Sequence, residues 1–312
     1  MIPHPGNQLN PLRPMRRGGL VLLAAFSVFA GEGLSQPVSA FLDGVRQAAP
    51  LRIDGPIPVH HSTGADSRAR TLQDMLANAA AFYRERLGVS ATLTLAVLDP
   101  AAWKTVTNDA VPYGMPFVNE GVMVLPFRQE GAVVDAYMAH ANDLPDAVVK
   151  AVEGSRRPFA THITEMVDLI GYHEMGHVYV GELGIAPHNR WFSELLATYF
   201  AYAFIAERLP SLARTWQIAS QSDSHTAPKH RSLADFERLY MGVGADNYVW
   251  YQNRFSERVF AVFATDRLEF LRKVKNAFPR QSNEKLTLDQ VLERVEKIQP
   301  GFKAWAVSLN EM

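Results

Sequence analysis

The stretch Ile163-Thr164-Glu165-Met166-Val167-Asp168-Leu169-Ile170-Gly171-Tyr172-His173-Glu174-Met175-Gly176-His177 carries the decisive pattern of this chain. Ile163, Met166, Val167 and Ile170 recur at spacings of three and four, the period of a helix with one buried face. That face runs straight into His173, Glu174 and His177. Residues four apart on a helix lie one turn above each other, so both imidazoles can reach one ion while Glu174 stands beside them as a base. The chain has 10 histidines in 312 residues, and chance placement would produce this spacing only about 0.02 times per chain. Two imidazoles on a buried face need partners. Gly184 stands where the helix needs a left-handed residue to end.

A catalytic zinc takes three protein ligands and leaves a fourth position for water. Cysteine is absent, so a metal here must be held by His, Asp or Glu. Six residues beyond His177 stands Leu183, and the next histidine is His188, which excludes the metzincin arrangement. A second helix is predicted over Arg190 to Arg208. It carries one carboxylate in the otherwise apolar run Trp191-Phe192-Ser193-Glu194-Leu195-Leu196-Ala197, and Glu194 is the expected third ligand.

A His-Glu-x-x-His helix followed by a helix bearing Glu-x-x-Ala resembles the gluzincins, the thermolysin-like zinc metallopeptidases, over about Leu93 to Phe204. The resemblance implies one Zn2+ per chain on His173, His177 and Glu194, with Glu174 as general base. Ala197 would be the small residue that lets the two helices approach. The implied activity is hydrolysis of a peptide or protein substrate: zinc acidifies a water and polarises the scissile carbonyl, while Glu174 passes the water proton to the leaving amine. The family also supplies a His or Tyr to steady the oxyanion. Tyr248 is preferred for that role, ahead of Tyr251, His225 and His230. An extended substrate would pair with an edge strand, and Gly121 to Leu125 stands in the corresponding place in chain order.

Two features depart from the family. The gap from His177 to Glu194 is shorter, which requires a tighter connection. Thr198 stands where thermolysin has an acid supporting a histidine, so a different acceptor is expected. Two alternatives to a peptidase are a zinc hydrolase of a non-peptide amide or a dedicated partner, and an inactive zinc-binding protein. Glu174 argues against the last, because a structural site has no use for a base.

Farther out, Asp66 to Leu87 reads as a helix stopped by Gly88, and Thr92 to Leu98 as a strand. Gly121 to Pro126 reads as a second strand at a sheet edge, because prolines flank it. Beyond Pro145 the periodic segments are helical: Phe159 to Leu183, Arg190 to Arg208, Leu233 to Tyr240, Asn247 to Phe278 and Leu286 to Ile298. The expected class is α+β, a small mixed sheet followed by a mainly helical metallopeptidase core and a helical C-terminal part. The expected division is 1–40, 41–155 and 156–312. The segment Lys297 to Phe302 with Trp305 is expected to form the far wall of the cleft. His60, His61 and His140 read as surface residues, as do the charges Glu165, Asp168 and Glu182 flanking the metal helix.

The net charge is -1, and no basic patch is interleaved with aromatics, so nucleic acid is not an expected partner. Residues 1–40 read as an export signal. Arg13, Arg16 and Arg17 precede the apolar run Leu20 to Ala30, and cleavage fits after Ala30 or after Ala40 in Val38-Ser39-Ala40. Translation could start at Met1 or Met15. No lasting membrane span is expected after cleavage, and the mature protein is expected in the periplasm or secreted.

Overall fold

The structure is a computed structural model that describes residues 40–223, 227–282 and 284–311. Residues 1–39 of the expected export signal, and His225, lie outside the described residues. The fold is α+β, a small mixed sheet on the N-terminal side of a mainly helical body. The sheet comprises β1 (Leu51–Ile53), β2 (Val59–His61), β3 (Thr94–Leu98), β4 (Phe117–Asn119) and β5 (Val122–Pro126). Around and after it come α1 (Ala40–Ala48), α2 (Asp66–Leu87), α3 (Pro100–Thr107), α4 (Ala132–Met138), α5 (Asp146–Ser155), α6 (Phe159–Glu182) and α7 (Arg190–Arg208). The rest of the body is α8 (Pro210–Ser220), α9 (Leu233–Leu239), α10 (Ala245–Asp266), α11 (Glu269–Ala277), α12 (Leu288–Ile298) and α13 (Phe302–Ser308).

Local chemistry explains most boundaries. The helix α2 buries Leu72, Leu76, Ala79, Phe82 and Tyr83 along one stripe and ends at Gly88, whose φ of 69° suits a residue without Cβ. Asp99 caps α3 by accepting from the Ala102 amide at 2.8 Å. Thr287 and Gln290 form a reciprocal capping box on α12. The helix α8 lies where Pro210 could be taken for a stop, but proline at the first helical position costs no hydrogen bond.

The strand order is β1-β2-β3-β5-β4. This corrects the edge assignment: β5 is an inner strand, parallel to β3 and antiparallel to β4, and the edge strands are β4 and, on the far side, β1. All five residues of β5 are buried. Pro126 is tolerated because it closes the strand. The segment expected as one helix from Asn247 to Phe278 is broken at Arg267, where φ is 45°. The break is tertiary in origin, because the Tyr199 hydroxyl donates to the Arg267 carbonyl at 2.6 Å. His60 and His61 are corrected as well: they sit in β2, 6% and 4% exposed, packed into the sheet.

The larger of two apolar clusters extends from Ile53 to Leu309, and the smaller joins α1 and α3 to the opposite sheet face. The centre of the larger is the crossing of α6 and α7, the most extensive helix pair in the molecule. At the crossing, a Cβ on Gly176 would lie 2.4 Å from the Ala197 carbonyl oxygen, far inside contact distance. The two backbones therefore touch, and only glycine fits at 176. Among the described residues no helix is long and apolar enough to cross a membrane.

Candidate metal centre

The α6–α7 contact sets the site. His173, Glu174 and His177 project from α6, and Glu194 comes from the second turn of α7. Glu194 is 3% exposed. Its Oε2 lies 3.2 Å from His173 Nε2 and 3.7 Å from His177 Nε2, and the two imidazole nitrogens are 3.1 Å apart. Donors each about 2.0–2.1 Å from a tetrahedral zinc stand about 3.3 Å from one another. The three atoms thus form a triangle of the size one such ion requires. The Glu174 carboxylate joins the two imidazoles in a group within 4.8 Å, half-buried against the cavity. The tight corner between α6 and α7 is built by Gly184, with φ of 81°, and by the Arg280 amide donating to its carbonyl at 2.8 Å.

The electrostatics of this cluster couple one carboxylate to the two imidazoles. Burial alone would raise the Glu194 carboxyl, but His177 and His173 outweigh it and hold Glu194 well below the usual carboxylate range. Burial disfavours charge on His177, yet Glu194 pushes it up to about 8. The opposite applies to Glu174: burial pushes its carboxyl up, against the pull of the two imidazoles. The two glutamates are therefore driven apart in acidity, Glu194 toward a permanent anion and Glu174 toward a group that exchanges protons.

The supporting residues were only partly foreseeable. Thr198 occupies the place where an acid was missing, and its Oγ1 lies 3.0 Å from His173 Nδ1. With a proton on Nδ1 donated to Thr198, the Nε2 lone pair would be the one available to a metal. Tyr248 does reach the site: its hydroxyl stands 3.4 Å from Glu194 Oε2. Burial and the neighbouring carboxylate raise the Tyr248 phenol far up, so it stays a neutral donor. Tyr251 points elsewhere, donating to the Ser232 carbonyl at 2.8 Å. His230 is drawn away too, its amide bonded to Asn247 and its ring facing Asp235.

Two further groups at the site have no sequence signature of their own. The Tyr240 hydroxyl donates to Glu194 Oε1 at 2.8 Å, and Gln252 Nε2 donates to Oε2 at 2.9 Å. Gln252 follows Tyr248 by one helical turn, so its approach was legible once Tyr248 was placed. The short 3-10 turn at Tyr240–Val243 gave no such signal.

A cavity of about 1040 Å³ opens over these groups. Its walls are the Val111 to Val118 segment leading into β4, the helix α4, and the Tyr240 to Gly244 turn with the start of α10. The C-terminal segment expected as the far wall is not there: Trp305 packs against Trp191 and Phe255, and Phe302 against Phe270. Glycines let the roof close, since Gly114 and Gly131 meet so tightly that a Cβ on either would strike the other strand's backbone within 2.3 Å. Asp168 is not a solvent-facing charge. It binds Arg68 of α2 and accepts from Gln129 of the β5–α4 loop at 2.6 Å, tying that roof to α6. Glu165 is likewise engaged, by Arg157 and by Thr215.

No protein-family model, no curated protein and no solved structure matches this chain.

Proposed function

We propose that the protein is a zinc-dependent peptidase exported from the cytosol. The observation that carries the reading is the triangle of His173 Nε2, His177 Nε2 and Glu194 Oε2, with sides of 3.1, 3.2 and 3.7 Å. Two neutral nitrogens and one carboxylate oxygen are the donor set of catalytic zinc. Zinc held there supplies Lewis acidity, polarising a scissile carbonyl and making a water acidic.

The chain's own groups do the rest. Glu174 lines the cavity together with Val118 of the edge strand β4. With its carboxyl raised by burial, it takes the proton of the attacking water and returns it to the departing amine. Tyr248, a neutral phenol beside Glu194, donates to the carbonyl oxygen as charge develops on it. The free edge of β4 borders the cavity and lies beside Glu174, where an extended chain can add backbone hydrogen bonds.

The test is metal analysis combined with a peptide-library digest. The unmodified protein takes up one zinc per chain and cleaves peptides. Glu174→Gln keeps the zinc and loses hydrolysis by about 10²–10⁴-fold. His173→Ala and His177→Ala lose the metal. Full zinc uptake by both histidine variants would sink the site assignment, and persistent hydrolysis by Glu174→Gln would sink the mechanism.

A further inference from the structure

The third ligand is a carboxylate with two oxygens, and only one of them faces the imidazoles. The other, Oε1, accepts the Tyr240 hydroxyl at 2.8 Å. Among the described residues Tyr240 is the one hydrogen-bond donor to that oxygen. We propose that Tyr240 is a positioning residue whose phenol captures Glu194 Oε1, keeps the carboxylate bound through Oε2 alone, and so holds a coordination position open for water and substrate. The proposal rests on the zinc-hydrolase reading.

The backbone supports this role independently. Tyr240 has φ 49° and ψ -118°, a conformation natural to glycine and unfavourable for any residue with a side chain. Strained residues of this kind persist where the surrounding structure over-determines them, and they concentrate at functional sites. The surroundings here hold the ring from several sides. The Arg190 guanidinium lies over it at 4.9 Å, while Phe236 and Tyr248 meet it edge-on at 5.5 and 5.9 Å. A tight turn follows at once and ends at Gly244, with φ of 90°. The strained backbone and the clamped ring together aim the hydroxyl at Oε1.

The two tyrosines thereby divide the work. Tyr248 approaches Oε2, on the side of the imidazoles, by a longer contact of 3.4 Å, and its hydroxyl also meets that of Tyr240. Tyr240 holds the far oxygen. Without it, Oε1 can swing toward the ion, and a carboxylate bound through both oxygens fills the position that water needs.

Cobalt(II) added to the metal-free full-length protein reads this out, because four-coordinate cobalt absorbs visible light several-fold more strongly than five- or six-coordinate cobalt. Tyr240→Phe keeps the ring, and its fold is checked by circular dichroism. It should lower the cobalt absorption about two-fold and weaken zinc binding about tenfold or more in a chelator competition. Tyr248→Phe should leave both unchanged while losing turnover. An unchanged spectrum and affinity in Tyr240→Phe would overturn the proposal and leave the zinc reading intact. Absence of metal uptake by the unmodified protein would overturn both. A crystal structure of the zinc-loaded unmodified protein gives a second, variant-free answer: both Glu194 oxygens on the ion would refute the role of Tyr240.

Discussion

At the scale of single residues, the proposed site divides into groups that would bind metal, groups that would react and groups that aim them. His173 depends on the last kind, because an imidazole presents the right nitrogen only if the other one is engaged. Thr198 does this with a hydroxyl that is 1% exposed. Thr198→Val should therefore weaken zinc binding by about 10–100-fold, and Thr198→Ser should restore it. Equal affinities by chelator competition would show that the contact is incidental. Tyr248→Phe should keep zinc affinity and lower kcat by about 10²–10³-fold, and a normal kcat would remove Tyr248 from the mechanism. His173, Glu174, His177 and Glu194 were legible in the sequence because helical spacing alone places the first three on one face. Thr198 was legible as a position but not as a partner, because whether a threonine one turn past Glu194 reaches an imidazole depends on how close the helices come.

At the scale of elements, everything depends on the α6–α7 crossing. The donor triangle joins two helices, and its sides are set by how closely their backbones approach. Gly176 against Ala197 sets that approach. Gly176→Ala adds a methyl that cannot fit without prising the helices apart, at a cost of about 1–3 kcal/mol or more. A lower unfolding midpoint in urea is expected, together with weaker zinc binding, because Glu194 moves relative to His173 and His177. A variant that lost neither would show that the contact does not set the site. The two helices and their limits were readable from periodicity and terminal signals. Strand order was not: β5 looked like an edge because prolines bound it, while the actual edge on that side, β4, is three residues long and too short for an alternation signal.

At the scale of the whole molecule, stability carries a signature separate from the site. The Arg254 guanidinium is buried between Asp223 and Glu257, 3.1 Å from each. Burial pushes Glu257 up to about 7 from its ordinary value of 4.5, with Arg254 opposing and Asp223 reinforcing the shift. Between those two values the folded protein holds a proton that the unfolded chain has released, so stability is fully present below the lower value and lost as pH rises through the upper one. Solvent still reaches Glu257, so the loss is on the order of 1–2 kcal/mol. Denaturant midpoints should fall between about pH 5 and 7.5, and Glu257→Gln should flatten that part of the profile. A profile identical to that of the unmodified protein would contradict the assignment. By itself the sequence determined the α+β class and the two helices, and it singled out His173, Glu174, His177 and Glu194 as the candidate site. These follow from local periodicity, capping and spacing, which a single segment contains. Only the tertiary structure decided the strand order, the break at Arg267, the contact of Thr198 with His173 and the arrival of Tyr240 and Gln252 at Glu194. Each of those depends on how far apart two distant segments come to rest, a distance set by packing that no one segment encodes.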